Sequence, residues 1–81
     1  MIKVVFFARL KEQLQCETKA LPAEGLETVA AVRSRLMTDH PAWVAAFSEP
    51  LLTAVNQQMV KDTARVSDGD EVAFFPPVTG G

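Results

Sequence analysis

The groups best suited to chemistry lie in the last ten residues, Val72-Ala73-Phe74-Phe75-Pro76-Pro77-Val78-Thr79-Gly80-Gly81. Proline lacks a backbone N–H and fixes φ, so Pro76 and Pro77 cannot extend a sheet ladder and favour an extended, polyproline-like exit. A strand over the apolar run must therefore end near Phe75. Gly80 and Gly81 carry no side chains, so they can enter a slot too narrow for other residues and take backbone angles that others avoid. The one reactive group in this stretch is the α-carboxylate of Gly81, ionised at neutral pH and a poor electrophile until it is activated. A bare Gly-Gly pair would equally suit a frayed end or a cloning remnant. Behind an ordered strand and a stiff spacer, it reads instead as a thin arm that carries its carboxylate outward.

The other side chains with chemical potential lack partners. Cys16 is the single cysteine, with no neighbouring His or Lys to lower its pKa, and reads as an incidental thiol. His40 precedes Pro41, where a residue at a helix start or in a loop is expected rather than an acid or base. Asp68 and Asp70 flank Gly69 and make a turn. A carboxylate near the root of the tail could also assist docking onto a basic surface.

Composition narrows the setting. The chain has 81 residues with 48% hydrophobic content, enough for one small domain that buries roughly 60–65% of its unfolded surface. Net charge is −2 and charges of both signs are mixed along the chain, which leaves neither a nucleic-acid footprint nor a polybasic membrane anchor. The apolar opening, residues 1–8, is interrupted by Lys3 and followed by Arg9 and Lys11; it is too short for a signal-peptide core or a membrane span. A cytoplasmic location and protein partners are expected. A lone cysteine excludes an internal disulfide, a Cys₄ cluster and a cysteine-built zinc site, so no metal is implied.

The elements that must position the tail follow from periodicity. Ile2, Val4 and Phe6 alternate with Lys3, Val5 and Phe7, a strand whose Lys3 marks the face turned from the core. Leu10 and Leu14 suit a short helical turn, and residues 17–21 suit an edge strand ended by Pro22 and paired with the first. Thr28 is a plausible N-cap for the main helix. On that helix Val29, Val32 and Leu36 share one face, with Met37 flanking and Arg33 and Arg35 pointing to water. Pro41 opens another short helix in which Trp43 and Phe47 are expected to stack. Residues 51–55 read as a buried strand, residues 56–58 as a turn, Met59 and Val60 as a short return strand, and residues 67–70 as a turn into the last strand. This order is that of an α+β, β-grasp (ubiquitin-like) fold: a mixed sheet packed on one main helix, with short extra helices. The first and last strands should be parallel neighbours. The domain is expected over residues 1–75, with an extended tail over residues 76–81. Fold alone does not give function, because this scaffold carries modifiers, sulfur carriers and ferredoxins.

The segments Ile2-Lys3-Val4-Val5-Phe6-Phe7-Ala8, Ala54-Val55-Asn56-Gln57 and Asp68-Gly69-Asp70-Glu71-Val72-Ala73-Phe74-Phe75-Pro76-Pro77-Val78-Thr79-Gly80-Gly81 together resemble the small, sulfur-carrier subunit of molybdopterin synthase, the MoaD family. The likeness spans the chain and is weakest over residues 15–25, where a glycine turn near Gln15 would be expected. The resemblance implies that Gly81 is adenylated and then thiocarboxylated, donating sulfur for the dithiolene of molybdopterin. The chemistry suits the residue, because adenylation supplies a leaving group and a thiocarboxylate is a soft nucleophile on an extensible arm. By itself the chain would not be an enzyme and would bind no cofactor. ATP would be used by the activating enzyme, and the pterin precursor held mainly by the large subunit. The partners implied are that adenylating enzyme and the large synthase subunit, in a heterotetramer of two small and two large chains. Ubiquitin-like modifiers and thiamine-pathway sulfur carriers could use the same activated glycine; the Phe-Phe-Pro-Pro-Val-Thr spacer matches the synthase subunit better.

Alternation also locates a docking face. With Ile2, Val4, Phe6, Val72 and Phe74 inward, Lys3, Val5, Phe7, Glu71, Ala73 and Phe75 face outward. Phe7 and Phe75 should therefore form an apolar patch at the root of the tail, which Met59 extends by resemblance.

Overall fold

Strand β1, Ile2–Phe6, follows the expected alternation in the computed structural model, which describes residues 1–77. The expectations for Val78, Thr79, Gly80 and Gly81 lie outside the described residues. Ile2, Val4 and Phe6 are fully buried while Lys3 is exposed. At Ala8 the backbone turns through a positive φ of 55° into helix α1, Ala8–Leu14, which buries Leu10 and Leu14. Gln15, at φ 52°, closes that helix in the left-handed conformation that glycine usually supplies. Its N–H bonds back to the Glu12 carbonyl at 3.2 Å, and the Cys16 N–H to that of Lys11 at 3.2 Å. The turn expected near Gln15 is thus present without glycine.

Strand β2, Thr18–Leu21, lies antiparallel to β1 at the sheet edge and stops before Pro22, as a proline requires. Helix α2, Val29–Asp39, starts at Thr28, whose hydroxyl accepts from the Ala31 N–H at 3.2 Å. Val29, Val32 and Leu36 form its buried face. A 3-10 turn, Pro41–Trp43, leads into helix α3, Val44–Phe47. Strands β3, Leu52–Val55, and β4, Gln58–Val60, form a hairpin around Asn56 and Gln57, whose φ values of 49° and 70° suit a two-residue primed turn. Strand β5, Glu71–Phe75, completes a sheet ordered β2-β1-β5-β3-β4. β5 runs parallel to β1 and antiparallel to β3. One face of this mixed sheet packs on α2 around Phe6, Leu36, Phe47, Val72 and Phe74.

Three expectations are corrected. Arg33 does not point to water: its side chain is only 18% exposed and one guanidinium nitrogen donates to Asp62 at 3.0 Å. The guanidinium carbon sits 5.6 Å from the centre of the Phe74 ring, where the ring's negative face and the Asp62 carboxylate draw it inward. Trp43 and Phe47 do not stack on each other. They approach the Phe6 ring edge-on, at 5.4 and 6.3 Å, while Trp43 stacks on His40 at 4.0 Å. The change from a 3-10 turn to an α-helix between them breaks the i,i+4 geometry. Finally, the strand expected at residues 51–55 begins at Leu52. Leu52 itself is 37% exposed, because Thr53 takes the inward position.

Candidate functional site

The face of the sheet turned away from α2 carries the expected partner-binding residues Phe7, Phe75 and Met59. Register places Val5 beside Ala73, Ala73 beside Ala54 and Ala54 beside Met59, one row crossing four strands. One pleat closer to the tail, Phe75 pairs with Leu52, and the Phe7 ring meets the Phe75 ring edge-on with centroids 6.5 Å apart. Val5, Ala54 and Ala73 form a small apolar cluster of their own, with Phe75 packed against it. Larger side chains rise around this floor. Phe7 is 49% exposed, Met59 is 59% exposed and Phe75 is half-buried. The structure thus brings Phe7 and Phe75 together as alternation required, and Met59 borders the same surface.

The opposite end of this face is polar. Lys3 and Glu71 are cross-strand neighbours there, and Asn56 ties the β3–β4 turn to the start of β5. Its side-chain amide donates to Asp70 at 3.0 Å, and its side-chain oxygen accepts from the Glu71 N–H at 3.0 Å. Asp70 also accepts from the Ser67 N–H at 2.8 Å, making the expected turn with Gly69 at φ 93°. Asp68 pairs with the Met1 ammonium, whose hydrogen bond and charge hold the Asp68 carboxyl below its ordinary range. Asp68 and Asp70 stand before β5, whereas the tail follows it. A five-residue strand separates them from the tail root by about 17 Å, so neither carboxylate is near that root, contrary to the secondary expectation.

The remaining candidates stay apart from this surface. Cys16 is partly buried, its Sγ 3.2 Å from the Thr18 carbonyl. His40 closes α2 and stacks on Trp43, beside the Lys19 ammonium at 5.9 Å from the Trp43 ring. An open cleft of about 610 Å³ between α2, α3 and the β3–β4 hairpin is lined by Arg33, Phe47, Leu51, Val60 and Asp62, and includes none of the expected site residues. Among the described residues, no three of His, Cys, Asp or Glu gather as metal ligands, and no helix is long and apolar enough to cross a membrane. Sequence reasoning missed Leu52 as part of the apolar face. Alternation could not have found it, because the one polar residue of the run, Thr53, takes the inward position.

A five-stranded mixed sheet with parallel first and last strands, crossed by one main helix, defines a ubiquitin-like β-grasp protein, here with an apolar outer face at the end of β5. The chain belongs to the ThiS family, whose model matches residues 4–81. It is 44% identical to the molybdopterin synthase sulfur carrier subunit of Escherichia coli, covering 100% of both chains. It is 39% identical to the subunit of the same name from Haemophilus influenzae, again covering 100% of both. Among solved structures, SAMP1 from Haloferax volcanii superposes with a TM-score of 0.82 at 28% identity, covering 99% of this chain and 98% of that one.

Proposed function

We propose that this chain is the sulfur carrier subunit of a molybdopterin synthase. The observation that carries the reading is the full-length match to two curated subunits of that name; the family match also extends through Gly81. The Gly81 carboxylate attacks the α-phosphate of ATP in an activating enzyme, releasing pyrophosphate and forming an acyl-adenylate. A sulfur donor then displaces AMP and leaves a thiocarboxylate. In the synthase that sulfur passes to the pterin precursor, and water returns the carboxylate. Val78, Thr79 and Gly80, behind Pro76 and Pro77, form the narrow arm that reaches each active site, while acid, base and nucleotide-binding groups come from the partners. The outer face bearing Phe7, Phe75 and Met59 docks the large subunit, in an assembly of two small and two large chains. The same face docks the activating enzyme in alternation.

A second reading, protein modification through Gly81, is favoured by the likeness to SAMP1, which in Methanosarcina acetivorans is named a small archaeal modifier protein. Intact-mass measurement after incubation with the activating enzyme, ATP and a sulfur donor separates the two. The expected product is heavier by one oxygen-to-sulfur exchange. A variant extended beyond Gly81 should remain folded and gain no sulfur. An amide adduct on a lysine of another protein, without sulfuration, would overturn the carrier reading.

A further inference from the structure

Two points where the backbone is held in a left-handed conformation adjoin the two sides of the apolar face. Ala8, at φ 55°, directly follows Phe7. Gln57, at φ 70°, lies two residues before Met59. Neither is glycine, although the chain does use glycine at other left-handed turns, Gly25 at φ 81° and Gly69 at φ 93°. Two further left-handed residues have local explanations. Gln15 closes α1 with its own N–H on the Glu12 carbonyl. Asn56 is of a residue type that tolerates the region, and its side chain is hydrogen-bonded to Asp70 and Glu71. Gln57 shares the two-residue primed turn with Asn56, which requires a positive φ at both places, but neither Ala8 nor Gln57 is of a type that favours the region, and an L residue with a Cβ is strained there.

Each occupies a place where the chain changes direction without losing the register of the residue it serves. Phe7 donates its N–H to the Phe74 carbonyl at 3.2 Å, as a continuation of β1 beside β5. The Phe7 carbonyl accepts from the Lys11 N–H at 3.4 Å, as the first turn of α1. The turn at Ala8 lets one residue do both while its ring lies against Phe75 on the outer face. At the hairpin, Gln57 with Asn56 reverses the chain in two residues, which sets Met59 opposite Ala54. A slip of one residue would send the Met59 side chain to the other face. A glycine at either place would relieve the strain, yet it would also widen the accessible backbone angles next to an exposed anchor.

We propose that Ala8 and Gln57 are positioning residues that pre-organise Phe7 and Met59 on the two sides of the apolar face for the large synthase subunit. The inference rests on the docking surface proposed above. Pre-organisation lowers the cost of ordering exposed side chains on association, and here the backbone turns fix where the two exposed anchors, Phe7 and Met59, leave the sheet.

The test uses the intact chain and the purified large subunit. Affinity is read by titration and stability by thermal midpoint for Ala8→Gly, Gln57→Gly, Ala8→Asn and Gln57→Asn, alongside Phe7→Ala and Met59→Ala. The glycine variants should keep or raise the midpoint while binding weakens by about 3- to 10-fold. The asparagine variants, tolerant of the left-handed region but still restricted, should recover most of the affinity. If Phe7→Ala and Met59→Ala weaken binding but the glycine variants bind like the parent, the positioning role is wrong. Weaker binding that merely tracks a lower midpoint, without rescue by asparagine, assigns both residues to the fold alone and overturns it too. If Phe7→Ala and Met59→Ala themselves bind like the parent, the docking surface is wrong, and this inference falls with it.

Discussion

Phe7 and Phe75 face the same solvent but are held differently, and that difference separates their roles. Phe7 is half-exposed, and its ring meets the Phe75 ring edge-on. Phe75 also packs on the Val5, Ala54 and Ala73 floor. Truncating Phe7 to alanine should weaken binding of the large subunit by about 1–3 kcal/mol if the ring is an anchor, with a nearly unchanged thermal midpoint. Phe75→Ala should weaken binding comparably and also lower the midpoint, because it uncovers the small residues beneath. Calorimetric titration and thermal unfolding of both variants check the pair. Unchanged affinity of the folded fraction in both would remove this surface from the docking site.

At the scale of elements, α2 and the outer face are separated by the sheet, so they should respond to mutation independently. Thr28→Ala removes the hydroxyl that accepts from the Ala31 N–H. It should cost about 1 kcal/mol, lowering the thermal midpoint by roughly 4–8 °C for a domain of this size, with affinity for the large subunit unchanged. A loss of affinity in the folded protein would mean that the helix and the docking face communicate. The order and pairing of these elements were legible because the two-residue period of a strand, marked by the single charges Lys3 and Glu71, places Ile2, Val4, Phe6, Val72 and Phe74 in a common core. Lys3 then marks the outer side. The Phe7–Phe75 contact followed from the same alternation once the strands were parallel neighbours. What was not legible depends on tertiary geometry. Arg33 is amphipathic, and only the position of Asp62 and the Phe74 ring decides that it turns inward. The left-handed angles at Ala8 and Gln57 contradict local preference, so no reading of propensity would place them. Leu52 sits in an apolar run where burial and exposure look alike until register is known.

At the scale of the whole molecule, the proposed function asks one apolar face to serve successive partners. If the activating enzyme and the large subunit both cover Phe7 and Phe75, they cannot bind one copy together, and the carrier must dissociate to be reloaded. Adding excess large subunit should therefore inhibit sulfuration of the carrier by the activating enzyme, and Phe7→Ala should relieve that inhibition. A stable ternary complex of all three proteins, detected by size-exclusion chromatography, would contradict the shared face.

The parallel pairing of β1 and β5 also has a mechanical consequence. Tension applied to the residues that precede β1 and follow β5 loads the hydrogen bonds between these neighbouring strands in shear, so many must fail together instead of parting one by one. β5 is moreover bonded to β3 on its other side. A machine that grips the chain beyond Phe75 and pulls would meet that resistance at its first step, since the strand it must extract is the centre of the sheet. The tail that ends in Gly81 therefore follows directly on the strand at the centre of the sheet.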